Sequence, residues 1–228
     1  MKPLGSCFLY GIVDLGYVTV NGLKTVTVQL IQGGVDILQL RAKGHSKPEI
    51  VRYAEAMVPL TKEAGIPLII NDHPDLLREV DAEGCHVGQE DFSVAEARDL
   101  AGRICIVGRS THSTEQARAA QQEKADYIGF GPLFPTGTKP SAKAIGLAEI
   151  RTLHEQVQLP IFVIGGVKLR NLGEVIQAGA KRVCIVSDLL LATDVTKQTA
   201  EVKRRVAYEM VQRTTDLEAG QQRAHRFC

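Results

Sequence analysis

The chain has 228 residues, enough for one large domain or two small ones, and a (β/α)₈ barrel of about 250 residues fits as a single unit. Hydrophobic residues make up 44% and charged residues 23%, the mix of an ordinary globular protein, which sets aside disordered and fibrous classes. A formal net charge of +1, 5% aromatic residues and no Trp exclude a general field for nucleic acid and a stacking surface for single strands, so the partner is expected to be a small molecule met by locally placed charges.

A β-rich run at 8–13 opens the chain, followed by Leu23, Val26, Leu30 and Ile31 at helical spacing and a Gly33-Gly34 stop. The unit recurs: strand 35–40, helix 48–64, strand 67–70, a short helix near 75–80, strand 84–87, and a helix beginning near Ser93, whose side chain can cap it. Strand 104–108, helix 114–122, strand 127–130, helix 147–156 and strands at 160–164 and 182–186 complete the series. Runs this apolar on both faces, each followed by a helix, call for a parallel sheet covered by helices, and eight of them predict an α/β fold, a closed (β/α)₈ TIM barrel, in a single domain. No Pro/Ser-rich linker divides it; the barrel is expected over 1–213, with a frayed polar tail over 214–228.

Cys7, Cys85, Cys105, Cys184 and Cys228 form no C-x-x-C pair and read as buried reduced thiols, a cysteine nucleophile being the alternative. The apolar run at 7–13 is cut by Asp14 and nothing later approaches a membrane span, so no membrane partner is expected and the cytoplasm is the default location. Self-association into a homo-oligomer stays open.

In such a barrel the active site lies at the carboxyl ends of the strands. Gln39, Arg41 and Lys43 alternate, so all three are expected to point into the mouth, where two cations beside an amide suggest a polyanion; a salt-bridged core Arg is the plainer alternative. The carboxylates of Asn71-Asp72 and of Gln89-Glu90-Asp91, after the third and fourth strands, suit Mg²⁺ bridging to phosphates, or else a general acid/base pair. Ser110 and His112 follow the fifth strand, with His112 either a base or a ligand of loop backbone. The loop 129–139 combines glycines, prolines, Thr136, Thr138 and Lys139, as a phosphate site does, although an ordinary Gly/Pro loop has the same look. Gly165-Gly166 and Ser187 follow strands seven and eight, where many barrels hold a phosphate through backbone amides. Two anion sites across one mouth suggest two phosphorylated substrates or one bisphosphate.

Gln39-Leu40-Arg41-Ala42-Lys43, Asn71-Asp72, the stretch His86 to Asp91, Ser110-Thr111-His112-Ser113, the loop Gly131 to Lys139, Ile164-Gly165-Gly166-Val167 and Val186-Ser187 together resemble the ordered motifs of the thiamine phosphate synthase family over about 8–190. The resemblance implies a barrel enzyme, a transferase that joins hydroxymethylpyrimidine diphosphate to hydroxyethylthiazole phosphate with Mg²⁺ as cofactor, releasing pyrophosphate. Carried over by position, Gln39, Arg41, Lys43, Asn71, Ser110 and Lys139 hold the pyrimidine diphosphate, with Arg41, Lys43, Ser110 and Lys139 serving catalysis. Asp72 and Asp91 hold the metal, and Thr136, Thr138, Gly166, Val186 and Ser187 face the thiazole phosphate. His73 and Asp188 depart from the common pattern, and Asp188 is expected to weaken the thiazole phosphate site. The rivals are the related thiazole tautomerases, with His112 as acid/base, and a non-catalytic binder of thiamine phosphates.

Overall fold

Strands apolar on both faces need cover on both, and the chain supplies it by burying their inner side chains against one another and their outer ones under helices. The computed structural model describes residues 2–137 and 142–224, with side chains through residue 209. Eight parallel strands, β1 Leu9–Asp14, β2 Ile37–Arg41, β3 Leu68–Asn71, β4 Gly84–Val87, β5 Ile106–Thr111, β6 Tyr127–Phe130, β7 Ile161–Val163 and β8 Val183–Ile185, close in chain order, with β8 pairing back to β1. The helices are α1 Leu23–Gln32, α2 Lys47–Glu63, α3 Val94–Ala101, α4 Thr114–Gln122, α5 Ile150–Gln156, α6 Leu172–Gln177, α7 Ser187–Leu190 and α8 Val195–Ala224. This is the TIM barrel that the alternation predicts. Between β3 and β4 a 3₁₀ turn over Pro74–Arg78 stands where a short helix was expected.

Local signals place the elements. Ser93 caps α3: its Oγ accepts from the Glu96 amide at 3.2 Å while the Glu96 carboxylate accepts from the Ser93 amide at 2.8 Å, so two otherwise orphaned donors are met. β5 lies two residues later than the apolar run 104–108 suggests. Ile104 is 99% exposed, and the strand carries on through Ser110 and Thr111 because a barrel's mouth is lined with polar side chains.

α8 has no counterpart among the elements read from the sequence. Its backbone is helical through Ala224, which includes part of the segment expected to fray. Val202 and Val206 are buried, Thr196 Oγ1 donates to the Gln29 carbonyl at 3.2 Å, and Lys203 pairs with Asp36. Asp36 is the hub of this amino-terminal face. Burial alone would raise its pKa, but ion pairs with Lys2 and Lys203 and bonds from the Leu9 and Phe8 amides, at 2.9 and 2.8 Å, outweigh that and hold it below the usual carboxylate range.

Candidate active site

The carboxyl ends of the strands surround a cavity of about 110 Å³. A single water needs roughly 10–15 Å³ on this measure, so the space admits a ring-sized ligand and not a macromolecular segment. Its wall includes Gln39 and Arg41 from β2, Asn71 from β3, Ser110 from β5, Thr136 from the loop after β6, Gly166 after β7, and Val186 and Ser187 after β8. Eight of the residues expected at the site therefore share one cavity.

Arg41 is both the expected anion ligand and the salt-bridged core arginine of the alternative reading. Asp14 and Arg41 are register partners on β1 and β2, and Arg41 Nη1 donates to Asp14 Oδ2 at 2.7 Å. The other Asp14 oxygen accepts from the Gly16 amide at 2.9 Å, and the two side chains are 2% and 13% exposed. The carboxylate fixes the guanidinium at the cavity wall before any anion arrives.

Lys43 is placed differently from the expectation. β2 ends at Arg41, so the strand's alternation does not reach Lys43; it lies on the turn beyond, 54% exposed, with Nζ 2.8 Å from Asp72 Oδ2. It sits outside the cavity wall. Asp72 has φ +62, a left-handed conformation that Asp tolerates better than most residues. Asp91 Oδ2 accepts from the Gly88 amide at 2.6 Å. Thus Asp72 and Asp91, on the loops after the paired strands β3 and β4, each commit one carboxylate oxygen to a partner. Hard oxygen donors of this kind fit Mg²⁺, which usually takes one or two carboxylates and completes its shell with water and substrate phosphate. Among the described residues no group of three or more His, Cys, Asp and Glu gathers as a self-sufficient metal cage.

The opposite wall is built from two loops zipped together. The Leu133 amide donates to the Ile164 carbonyl at 2.9 Å and the Phe134 amide to Gly165 at 3.0 Å. Gly165 and Gly166 have φ of +92 and +66, and a Cβ on Gly165 would come within 2.3 Å of Pro132, so only glycine fits that approach. Ser187 opens the short α7. Asp188, expected to oppose a phosphate here, turns elsewhere: its Oδ2 accepts from the Leu169 amide at 2.9 Å and from Gln198 Nε2 at 3.0 Å. His112 lines the cavity with Nδ1 held against the Gly131 carbonyl, and Gln116 caps its amide at 2.7 Å. Thr138 and Lys139 lie outside the described residues.

Tyr10, Ile12, His86, Tyr127 and Phe162 also line the cavity, and none was named as a site residue from sequence, although His86 opens one of the quoted motifs. Parity alone could have flagged the first two, since Tyr10, Ile12 and Asp14 share one face of β1. His86 is a polar residue inside an apolar strand, which is a second usable signal. The four described cysteines are free and buried, as expected.

Residues 9–189 match the family described as thiamine monophosphate synthase. The chain is 43% identical to a thiamine-phosphate synthase of Halalkalibacterium halodurans over 85% of its length and 92% of that protein's. It is 40% identical to the Thermus thermophilus thiamine-phosphate synthase over 79% and 87%. Among solved structures, thiamine phosphate pyrophosphorylase from Pyrococcus furiosus superposes with a TM-score of 0.82 at 30% identity, covering 91% of this chain and 99% of that one. With the cavity, its two walls and these relatives together, the chain belongs to the thiamine monophosphate synthase family.

Proposed function

We propose that this chain is a thiamine-phosphate synthase, which transfers the methylpyrimidine group of hydroxymethylpyrimidine diphosphate to the nitrogen of hydroxyethylthiazole phosphate and releases pyrophosphate. The observation that carries this is the single cavity with a cation-and-amide wall, Gln39, Arg41, Asn71 and Ser110, facing a glycine-and-hydroxyl wall, Gly165, Gly166 and Ser187. The first wall suits a diphosphate on an aromatic ring, the second a lone phosphate. In the reaction the methylene–oxygen bond breaks with its electron pair leaving on the diphosphate, and the thiazole nitrogen's lone pair closes on the resulting cation. No proton need move, which agrees with a site richer in donors and cations than in poised bases.

Arg41 holds the departing diphosphate, Lys43 adds charge at the rim, and Lys139 has the role of a further cation for the leaving group. Ser110, Gln39 and Asn71 orient the pyrimidine, while Thr136, Thr138, Gly166, Val186 and Ser187 position the thiazole phosphate. Asp72 and Asp91 would hold Mg²⁺, which when bound neutralises charge on the leaving group. The largely apolar floor, including Ile12, Phe162 and Ile164, excludes water that would otherwise capture the cation. No helix of the described residues is long and apolar enough to cross a membrane, and the free cysteines suit a reducing cytoplasm.

The test is turnover of the two substrates, separately and together, with and without Mg²⁺. Thiamine phosphate should appear only when both are present, and strongly only with the metal. Isomerisation of the thiazole phosphate alone would instead make the chain a tautomerase, and tight binding without any product would make it a carrier.

A further inference from the structure

A chain of hydrogen bonds runs along the floor of the cavity and joins two residues of the cation-and-amide wall, Gln39 and Ser110. Gln39 Nε2 donates to Tyr10 Oη at 2.8 Å, Tyr10 Oη meets Tyr127 Oη at 2.8 Å, Tyr127 Oη meets His86 Nδ1 at 3.1 Å, and His86 Nε2 meets Ser110 Oγ at 2.9 Å. The five residues come from β2, β1, β6, β4 and β5, and every one lines the cavity. Tyr10 and Tyr127 are buried, and burial pushes both phenols above their usual pKa, so each keeps its single proton. Phe162 packs edge-on against both rings, at 5.3 and 5.7 Å between centroids. Gly108 makes the room: a Cβ there would lie 2.1 Å from Tyr127 Cζ.

Each link can hold one proton, and a phenol donates only once. With the Gln39 amide nitrogen donating, Tyr10 passes its own proton to Tyr127, and Tyr127 passes its proton to His86 Nδ1. The imidazole then carries its proton on Nε2 and donates to Ser110. The serine hydroxyl is left to donate outward, while Gln39 keeps its carbonyl oxygen for another partner. Turning the Gln39 amide over reverses every link, so that Ser110 donates inward to His86 and can only accept from a ligand. With the imidazole neutral, any mixed arrangement leaves a buried link with two protons or none. The two ends therefore cannot be set independently.

We propose that Tyr10, Tyr127 and His86 are positioning residues that couple Gln39 to Ser110, so that the cavity selects a planar nitrogen heteroaromatic offering a hydrogen-bond donor at the Gln39 end and an acceptor at the Ser110 end. An amino-substituted ring with an unprotonated ring nitrogen has that pattern; its oxo analogue, with a carbonyl and a ring N–H, has the opposite one. The choice of substrates rests on the synthase reading, whereas the coupling itself does not.

Two measurements test it. Nitrogen-15 NMR of the histidine side chains in the ligand-free protein should find His86 as the Nε2–H tautomer, and Tyr127→Phe should abolish that fixed preference. The Nδ1–H tautomer in the wild type would overturn the assigned sense of the chain. In kinetics, the wild type should prefer the aminopyrimidine diphosphate over its oxo analogue, and Tyr127→Phe and Tyr10→Phe should each reduce that preference by roughly tenfold, the size of one mis-set buried bond. An unchanged preference in both variants would overturn the coupling, because a merely structural role lowers activity on the two substrates alike. If the wild type makes no thiamine phosphate, the synthase reading fails, and the tautomer measurement, which needs no substrate, still decides the chain.

Discussion

Replacing Arg41 by alanine removes an anion ligand, but it also strands Asp14, whose carboxylate is 2% exposed. Breaking a buried ion pair from one side costs roughly 3–5 kcal/mol. Asp14 keeps its 2.9 Å bond from the Gly16 amide, so the lower end, about 3 kcal/mol, applies here. At roughly 2–4 °C per kcal/mol for a chain of this size, Arg41→Ala should lower Tm by about 6–12 °C. It should also raise KM for the pyrimidine diphosphate by about tenfold or more, the value of one charge-assisted bond of roughly 1.5–3 kcal/mol. Adding Asp14→Asn removes the stranded charge while leaving an acceptor for Gly16. Thermal denaturation of the double variant should recover at least half of the lost Tm, while steady-state kinetics should show no recovery of KM. A double variant as unstable as Arg41→Ala, or one whose KM recovers along with its stability, would refute this division of roles.

Asp91→Ala should abolish most turnover and its response to Mg²⁺ while Tm stays near that of the wild type; full activity of the variant in excess chelator would remove the metal assignment. Ser187→Ala should raise KM for the thiazole phosphate by less than Arg41→Ala raises KM for the diphosphate, since neutral hydrogen bonds are about half as strong as charge-assisted ones, and equal effects on both substrates would contradict separate walls. His154 is held neutral: burial first, then Lys181 and Arg182, push it down to about 4, and its Nε2 has no hydrogen-bond partner. The unfolded chain therefore takes up this proton first as pH falls, so the stability His154 contributes is complete above about pH 6.5 and is lost progressively towards about pH 4. Tm measured against pH should fall less steeply over that interval in His154→Leu, and identical slopes would rule the residue out.

Much of this was legible because two periodicities carried it. The alternation of apolar strand and helix implies the barrel, and strand parity puts Gln39 and Arg41 at its mouth. Parity misplaced Lys43 because it holds only while the strand lasts, and β2 ends at Arg41. Polarity misled at β5, where Ser110 and Thr111 belong to the strand although they break the apolar run. The partners were the least legible part. Arg41 meets Asp14 across 27 positions, and Tyr10 meets Tyr127 across 117, distances at which no local pattern signals contact. Tyr10 and Tyr127 look like core residues in apolar strands, and they are core residues; only the closed barrel shows that their hydroxyls converge. α8 went unread because its polar residues outnumber the few, such as Val202 and Val206, that it buries.

Phosphorus-31 NMR of a reaction containing this protein, Mg²⁺ and both substrates tests the central claim most directly. The diphosphate ester signals should give way to inorganic pyrophosphate at the same rate at which thiazole phosphate becomes thiamine phosphate, in equal amounts, with neither change when one substrate is left out. Pyrophosphate released without thiamine phosphate, or thiazole phosphate altered in the absence of the pyrimidine diphosphate, would contradict the assignment of a transfer between two substrates in one cavity.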